Sequence, residues 1–170
     1  DGGDRMNGGG EKDFLVGGSG DGQLQGEDGD DFLQGQGGHD LLEGGRGNDR
    51  LYGQSHEDAL SGCSGNDHLY GGRGNDLLAG GIDDDDLTGG EGRDRFVFDE
   101  SSGNDVITDF EDGVDSIDFM IQSFDFEDLT ISQDGTDAVV GHAGGNIRLL
   151  NTDANDLDQT DFSFGVSEAF

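Results

Sequence analysis

The chain has 170 residues, with 40 Asp and Glu against eight Lys and Arg, a formal charge of −32, 35 Gly and no Pro. Such acidity argues against a nucleic-acid partner, whose phosphates demand Lys and Arg, and against docking on an anionic membrane surface. No apolar run approaches the roughly 20 residues of a bilayer span, and no basic-then-apolar stretch opens the chain, so neither a membrane span nor a signal peptide is expected.

Leu, Ile, Val and Phe together make up 39 of the residues, close to the level at which a highly charged chain stays disordered. Composition alone would fit an acidic disordered tail. If the chain does compact, something must first neutralise its carboxylates. Cys63 is the single cysteine, which rules out an internal disulfide and leaves the redox compartment open.

The order of the residues removes the disordered reading. Asp4 and Met6 already sit in phase with a repeat that can be cut every nine residues from Gly8 onward, without insertion or deletion. The ten units begin at Gly8, Gly17, Gly26, Gly35, Gly44, Gly53, Gly62, Gly71, Gly80 and Gly89, and the last closes at Val97. Nine carry Asp at the sixth position: Asp13, Asp31, Asp40, Asp49, Asp58, Asp67, Asp76, Asp85 and Asp94. The eighth position is Leu from Leu15 through Leu87, then Phe96. Because the chain starts inside a unit, a longer parent with a passenger domain on the N-terminal side is expected.

The best-kept units read GGRGNDRLY (Gly44–Tyr52), GCSGNDHLY (Gly62–Tyr70) and GGRGNDLLA (Gly71–Ala79). They match GGxGxDxUx, with U apolar, and so resemble the calcium-binding repeats of the RTX family of secreted bacterial proteins. The resemblance implies an all-β fold: a right-handed parallel β-roll, a solenoid of nonapeptide repeats, with a C-terminal β-rich cap. It also implies several Ca²⁺ ions held between turns two units apart, by the nine Asp above and by Gly44, Gly47, Gly62, Gly65, Gly71 and Gly74.

The unit itself can be read physically. GGxGxD is expected to form a turn of six residues in which Gly permits positive φ and close backbone approach. The remaining xUx makes a three-residue strand whose central side chain points inward. Two units complete a coil, so Asp40, Asp58, Asp76 and Asp94 form one stack, and Asp13, Asp31, Asp49, Asp67 and Asp85 the other. Leu24, Leu42, Leu60, Leu78 and Phe96 should face Leu15, Leu33, Leu51, Leu69 and Leu87. Carboxylates about 5 Å apart repel by roughly 3 kcal/mol at an effective dielectric near 20. A hard cation taking oxygens from carboxylates and carbonyls would remove that cost, and Ca²⁺ suits the site better than Mg²⁺, which demands tighter geometry.

Gly22 replaces one Asp; Glu11, His56 and Asp83 replace the fourth-position Gly; and Gln36, Gln54 and Cys63 replace the second. The fullest sites are therefore expected between Asp40 and Asp76, with the ladder faltering near Gly22 and His56. His56 is expected to hold a negative φ.

Past Val97 the composition changes, giving a domain division of 1–97 for the repeats and 98–170 for the cap. Of the 35 Gly, 26 lie in residues 8–97, whereas eight of the 11 Phe lie from Phe98 onward. Arg95–Phe119 resembles the segment that follows the repeats in serralysin-type proteases and alginate epimerase modules. By that resemblance Asp105 and Asp109 match acidic positions able to hold a terminal ion; solvated turn carboxylates are the alternative. Alternation predicts strands at Leu129–Ile131, Ala138–Val140 and Ile147–Leu149, with turns at Asp134-Gly135 and Gly144-Gly145. Ser167-Glu168-Ala169-Phe170 resembles the end of substrates of type I secretion machinery.

No catalytic constellation emerges. His56-Glu57 lacks the second His of HExxH, no GxSxG is present, and the His at 39, 56, 68 and 142 show no zinc-ligand spacing and should be exposed. The expectation is a non-enzymatic, calcium-triggered folding module of an extracellular protein. Alternatives are a polysaccharide-binding module of an extracellular enzyme, or an adhesin or surface-layer segment in which Phe14 stacks on Phe32 and Tyr52 on Tyr70.

Overall fold

A computed structural model describes residues 2–165, so the Ser167–Phe170 segment lies outside the described residues. The repeat region forms strands β1 (Arg5–Gly9), β2 (Phe14–Ser19), β3 (Gln23–Asp28), β4 (Phe32–Gly37), β5 (Leu41–Arg46) and β6 (Arg50–Ser55). It continues with β7 (Ala59–Ser64), β8 (His68–Arg73), β9 (Leu77–Ile82), β10 (Asp86–Glu91) and β11 (Arg95–Phe98). Beyond these lie β12 (Gly103–Ile107), β13 (Ser116–Phe119), β14 (Thr130–Asp134), β15 (Asp137–His142), β16 (Gly145–Leu149) and β17 (Phe162–Phe164).

The fold is a parallel β-solenoid. One sheet takes the odd strands from β1 to β13 and ends on β17; the other takes the even strands from β2 to β12 and ends on β16, β15 and β14. Leu24 pairs with Leu42, and Leu33 with Leu51, so the register is 18 residues, two units per coil. The Leu of the two sheets fill the space between them: Leu24, Leu33, Leu42, Leu51, Leu60, Leu78 and Leu87 are wholly buried. At the first coil Met6 and Leu15 are only half-buried against this core.

Each repeat strand is longer than the three residues expected. From β2 to β10 it runs for six, from the seventh position of one unit through the third of the next, as in Leu41–Arg46. Alternation along the strand puts the apolar residue and the following first-position Gly both inward, seen as buried Leu42 and Gly44. The turn proper is therefore only the fourth to sixth positions.

The second position bends with positive φ whatever residue is there, and the fourth does so in every unit but the first, where Glu11 stands. Gly45 and Gly47 stand at +117° and +122°, but Gln36, Gln54, Cys63 and Glu27 adopt +77° to +83°. His56 does the same at +81°, which corrects the expected negative φ. The cause is stacking: the coil is templated by its neighbour, where Gly74 holds +145° 18 residues on.

Parallel stacking continues after the repeats with a growing register. Leu87 pairs with Ile107, Phe96 with Ile117, Ile107 with Leu149, and Ile117 with Phe162, so the apolar columns extend to the end of the molecule. β14, β15 and β16 form an antiparallel meander at one sheet's end, and the turns fall near the expected dipeptides. Two 3-10 turns, Phe126–Asp128 and Gln159–Asp161, are each capped reciprocally by Asp side chains. No described helix is long and apolar enough to cross a membrane.

Replacing Gln36 or Gln54 by Gly should raise stability by about 0.5–1 kcal/mol each, since Gly lacks the Cβ that opposes left-handed φ. Leu60→Ala should cost about 2–5 kcal/mol by leaving a cavity in a layer one side chain deep. Denaturant unfolding at fixed Ca²⁺ checks both; a loss of stability in the Gly variants would contradict the stacking account.

Candidate metal centres

The sixth-position Asp residues form two ladders along the turns. In one, the N–H groups of Asp13, Asp31, Asp49 and Asp67 donate to Oδ1 of Asp31, Asp49, Asp67 and Asp85 at 2.7–2.8 Å. In the other, those of Asp40, Asp58 and Asp76 donate to Asp58, Asp76 and Asp94 at 2.8 Å. The ladder passes the His56 turn without a break. Gly22 donates its N–H to Asp40 Oδ1 at 2.6 Å but brings no carboxylate of its own.

Each ladder ends on a cap residue. Asp85 donates to Asp105 Oδ1, and Asp94 to Asp115 Oδ1, both at 2.9 Å. Asp115 was missed by sequence reasoning because the spacing slips from 18 to 21 residues at that rung. Its one signal was the in-line pairing of Asp94 and Asp115 just ahead of strands β11 and β13. Asp109 stands apart: its two oxygens accept from the N–H groups of Gly89 and Gly90.

The second carboxylate oxygen is what demands an explanation. Oδ2 of Asp31, Asp40, Asp49, Asp58, Asp67, Asp76, Asp85, Asp94 and Asp105 is buried without a hydrogen-bond partner. Buried polar atoms are seldom left so, and an anionic oxygen least of all. It lies against the inward Gly that opens its own unit. A Cβ on Gly44 would overlap Asp49 Oδ2, and would also come within 2.9 Å of the Gly62 carbonyl oxygen. At Gly53 the same place meets Asp58 Oδ2 and, at 2.8 Å, the Gly71 carbonyl. The invariant first Gly thus clears room for a carboxylate and a carbonyl oxygen converging from successive coils.

Two oxygens brought together with no hydrogen between them repel unless a proton or a cation intervenes. Both are hard donors. Among the described residues no three His, Cys, Asp or Glu side chains converge, so any ion here would complete its shell from carbonyls. The donor set fits Ca²⁺, which takes 6–8 oxygens of either kind. Gly47, Gly65 and Gly74 turn at φ of +122°, +115° and +145°, and a Cβ on Gly65 would overlap the Gly47 carbonyl oxygen of the preceding coil.

Without a cation, burial pushes the carboxyls of Asp40, Asp49, Asp58, Asp67, Asp76, Asp85, Asp94 and Asp105 up from the ordinary value near 3.8, and the backbone N–H only partly offsets it. Asp49 and Asp76 rise to about 6, Asp58, Asp94 and Asp105 to about 7, and Asp67 and Asp85 to about 8. Folded-state values above the unfolded ones mean that the metal-free roll binds extra protons. Its stability is greatest below about pH 4 and is lost as pH rises through 6–8. In chelator, strand circular dichroism should persist at the acid end and fade by about pH 8; a signal that strengthens with pH would contradict the assignment.

The comparisons with known proteins agree with this geometry. The RTX calcium-binding nonapeptide repeat matches in four copies, at residues 1–33, 16–51, 34–62 and 61–96. No curated protein matches the chain. Among solved structures, the AlgE6R3 subunit of the Azotobacter vinelandii mannuronan C5-epimerase is similar at 30% identity and TM-score 0.58, over 74% of this chain and 83% of that one. The extracellular lipase LipA from Serratia marcescens shares the fold at 18% identity and TM-score 0.53, over 90% of this chain. The chain spans only 38% of that lipase's length. Matched by the repeat model over more than half its residues, the chain belongs to the RTX calcium-binding nonapeptide repeat family.

Proposed function

We propose that this chain is a non-catalytic module of a secreted protein that folds when Ca²⁺ fills its turns outside the cell. The carrying observation is the set of nine buried Asp oxygens with no hydrogen-bond partner. The ligands are Oδ2 of Asp31, Asp40, Asp49, Asp58, Asp67, Asp76, Asp85, Asp94 and Asp105, with backbone carbonyls such as those of Gly44, Gly62 and Gly71. Asp13 joins them at the open first coil. Asp109, whose oxygens each accept one N–H and keep a further lone pair, joins Asp105 at a terminal ion. Residues 98–165 act as the cap that covers one end of the roll.

What a bound cation supplies is charge neutralisation at the bare oxygens. In its absence at neutral pH the stacked carboxylates repel, and the thin core cannot hold them together. Extracellular calcium modules have dissociation constants of roughly 10⁻⁴–10⁻³ M, so such a chain stays loose where free Ca²⁺ is low. Binding free energy then becomes folding free energy. This suits export of an unfolded chain through type I secretion machinery, followed by folding of a linked passenger on the N-terminal side.

A polysaccharide-binding role is the second reading, favoured by the likeness to an epimerase subunit. Four of the eight Lys and Arg are already paired, which weakens the case for a polyanion. Arg46, Arg73, Arg95 and Arg148 are each engaged by carboxylates: Asp28, Glu91, Asp118, and the pair Asp134 and Asp137. Heat on titrating alginate oligomers at fixed Ca²⁺ would support it.

At pH 7.5 a Ca²⁺ titration followed by circular dichroism should convert a disordered spectrum into a β spectrum cooperatively, and chelator should reverse it. Asp58→Asn and Asp67→Asn should each shift the midpoint to higher Ca²⁺ several-fold. A β spectrum indifferent to chelator at that pH would end the proposal.

A further inference from the structure

The stacking of coils brings together two imidazoles that the sequence places 17 residues apart. His39 follows the fourth position of its turn, and its counterpart one coil on is Glu57, directly after His56. The rings of His39 and His56 lie edge to face with centroids 5.9 Å apart. Neither belongs to the buried oxygen ladder: both face solvent, on the outside of the turns that carry Asp40 and Asp58.

Both rings are also oriented in the same way. His39 Nδ1 lies 3.0 Å from the Glu57 carbonyl oxygen, and His56 Nδ1 lies 2.7 Å from the Ser55 carbonyl oxygen. A carbonyl only accepts, so each Nδ1 carries the proton and each Nε2 keeps its lone pair. That is how metal-binding imidazoles are held: one nitrogen anchored to a carbonyl, the other presented. The Glu57 carboxylate, 3.9 Å from His39 Nδ1, adds negative charge beside the pair. An ion bound at about 2.1 Å from each nitrogen would place two imidazole centroids roughly 5–6 Å apart, close to the separation observed.

The backbone at His56 is left-handed, as it is at Asp83 in the same place of its unit. It holds φ +81° at a position where most other units have Gly. Left-handed φ opposes any Cβ, so His there costs stability that Gly would not.

We propose that His39 and His56 form a surface clip for a borderline divalent metal ion, Zn²⁺ being the type case, bridging two successive coils. The site is distinct from the hard-cation ladder. Imidazole nitrogen favours Zn²⁺, Cu²⁺ or Ni²⁺ over Ca²⁺, whereas the turns offer oxygen alone. The protein supplies two nitrogens and water completes the coordination. Such an ion would tie the coil carrying Asp40 to the coil carrying Asp58.

The test is calorimetric titration of Zn²⁺ into the full chain at saturating Ca²⁺, with the β spectrum verified. The variants are His39→Gln, His56→Gly and, as a control, His68→Gln. His56→Gly places the residue the turn prefers, so it retains the fold. One Zn²⁺ per chain is expected, with affinity at least about tenfold weaker in the first two variants and unchanged in the control. Long-range ¹H–¹⁵N spectra should show both rings as Nδ1–H tautomers, with Nε2 shifting on Zn²⁺ addition. Absence of binding, undiminished affinity in His56→Gly or His39→Gln, or Zn²⁺ heat that disappears as Ca²⁺ is raised would overturn the proposal.

Discussion

Everything in this molecule turns on a carboxylate that is only half satisfied. From Asp31 onward each sixth-position Asp holds one oxygen on a backbone N–H from the preceding coil, 18 residues earlier in the chain. The other oxygen is buried with no donor, beside a carbonyl. The first bond links successive coils, while the second oxygen is left buried without a donor. Few folds couple their geometry and their charge so directly, because here the same side chain performs both functions.

The remaining features follow from giving that oxygen room. The first Gly of each unit has no Cβ because the carboxylate lies where one would stand. The core is correspondingly thin, a double column of Leu with no second layer. Burial of a Leu side chain contributes about 1.5–3 kcal/mol, so each coil of two gains little apolar stabilisation against the repulsion of its acids. A solenoid with so thin a core and so many stacked acids has little apolar stabilisation to set against their repulsion.

At the C-terminal end the same apolar columns carry on through Ile107, Ile117, Leu149 and Phe162 while the turns lengthen. The carboxylate ladders stop at Asp105 and Asp115, where the loops no longer repeat. Aromatic packing takes over, with Phe119 against Phe98, Phe124, Phe162 and Phe164. His142 is drawn into that cluster beside Phe98 and Phe119, half-buried rather than exposed as expected, because the meander folds over it. On the outside of the other end, Phe14, Phe32, Tyr52 and Tyr70 join into one ladder of rings 4.9, 5.2 and 6.1 Å apart. The two separate pairs read from the repeat merge because the seventh and ninth positions of adjacent strands both face outward.

The sequence by itself determined the coil: the unbroken spacing of Gly, Asp and Leu allows one register, in which apolar residues meet inside and acids stack at the turns. Tertiary structure decided what spacing cannot encode. The strand absorbs half of the supposed turn because inward alternation carries on through the first Gly. His56 turns left-handed because its neighbouring coil does. Asp115 completes a ladder after the repeat has lost its period, and His39 reaches His56 only across a coil. These are contacts between residues about 18 or more positions apart, set by how coils stack, and a local reading has no term for them.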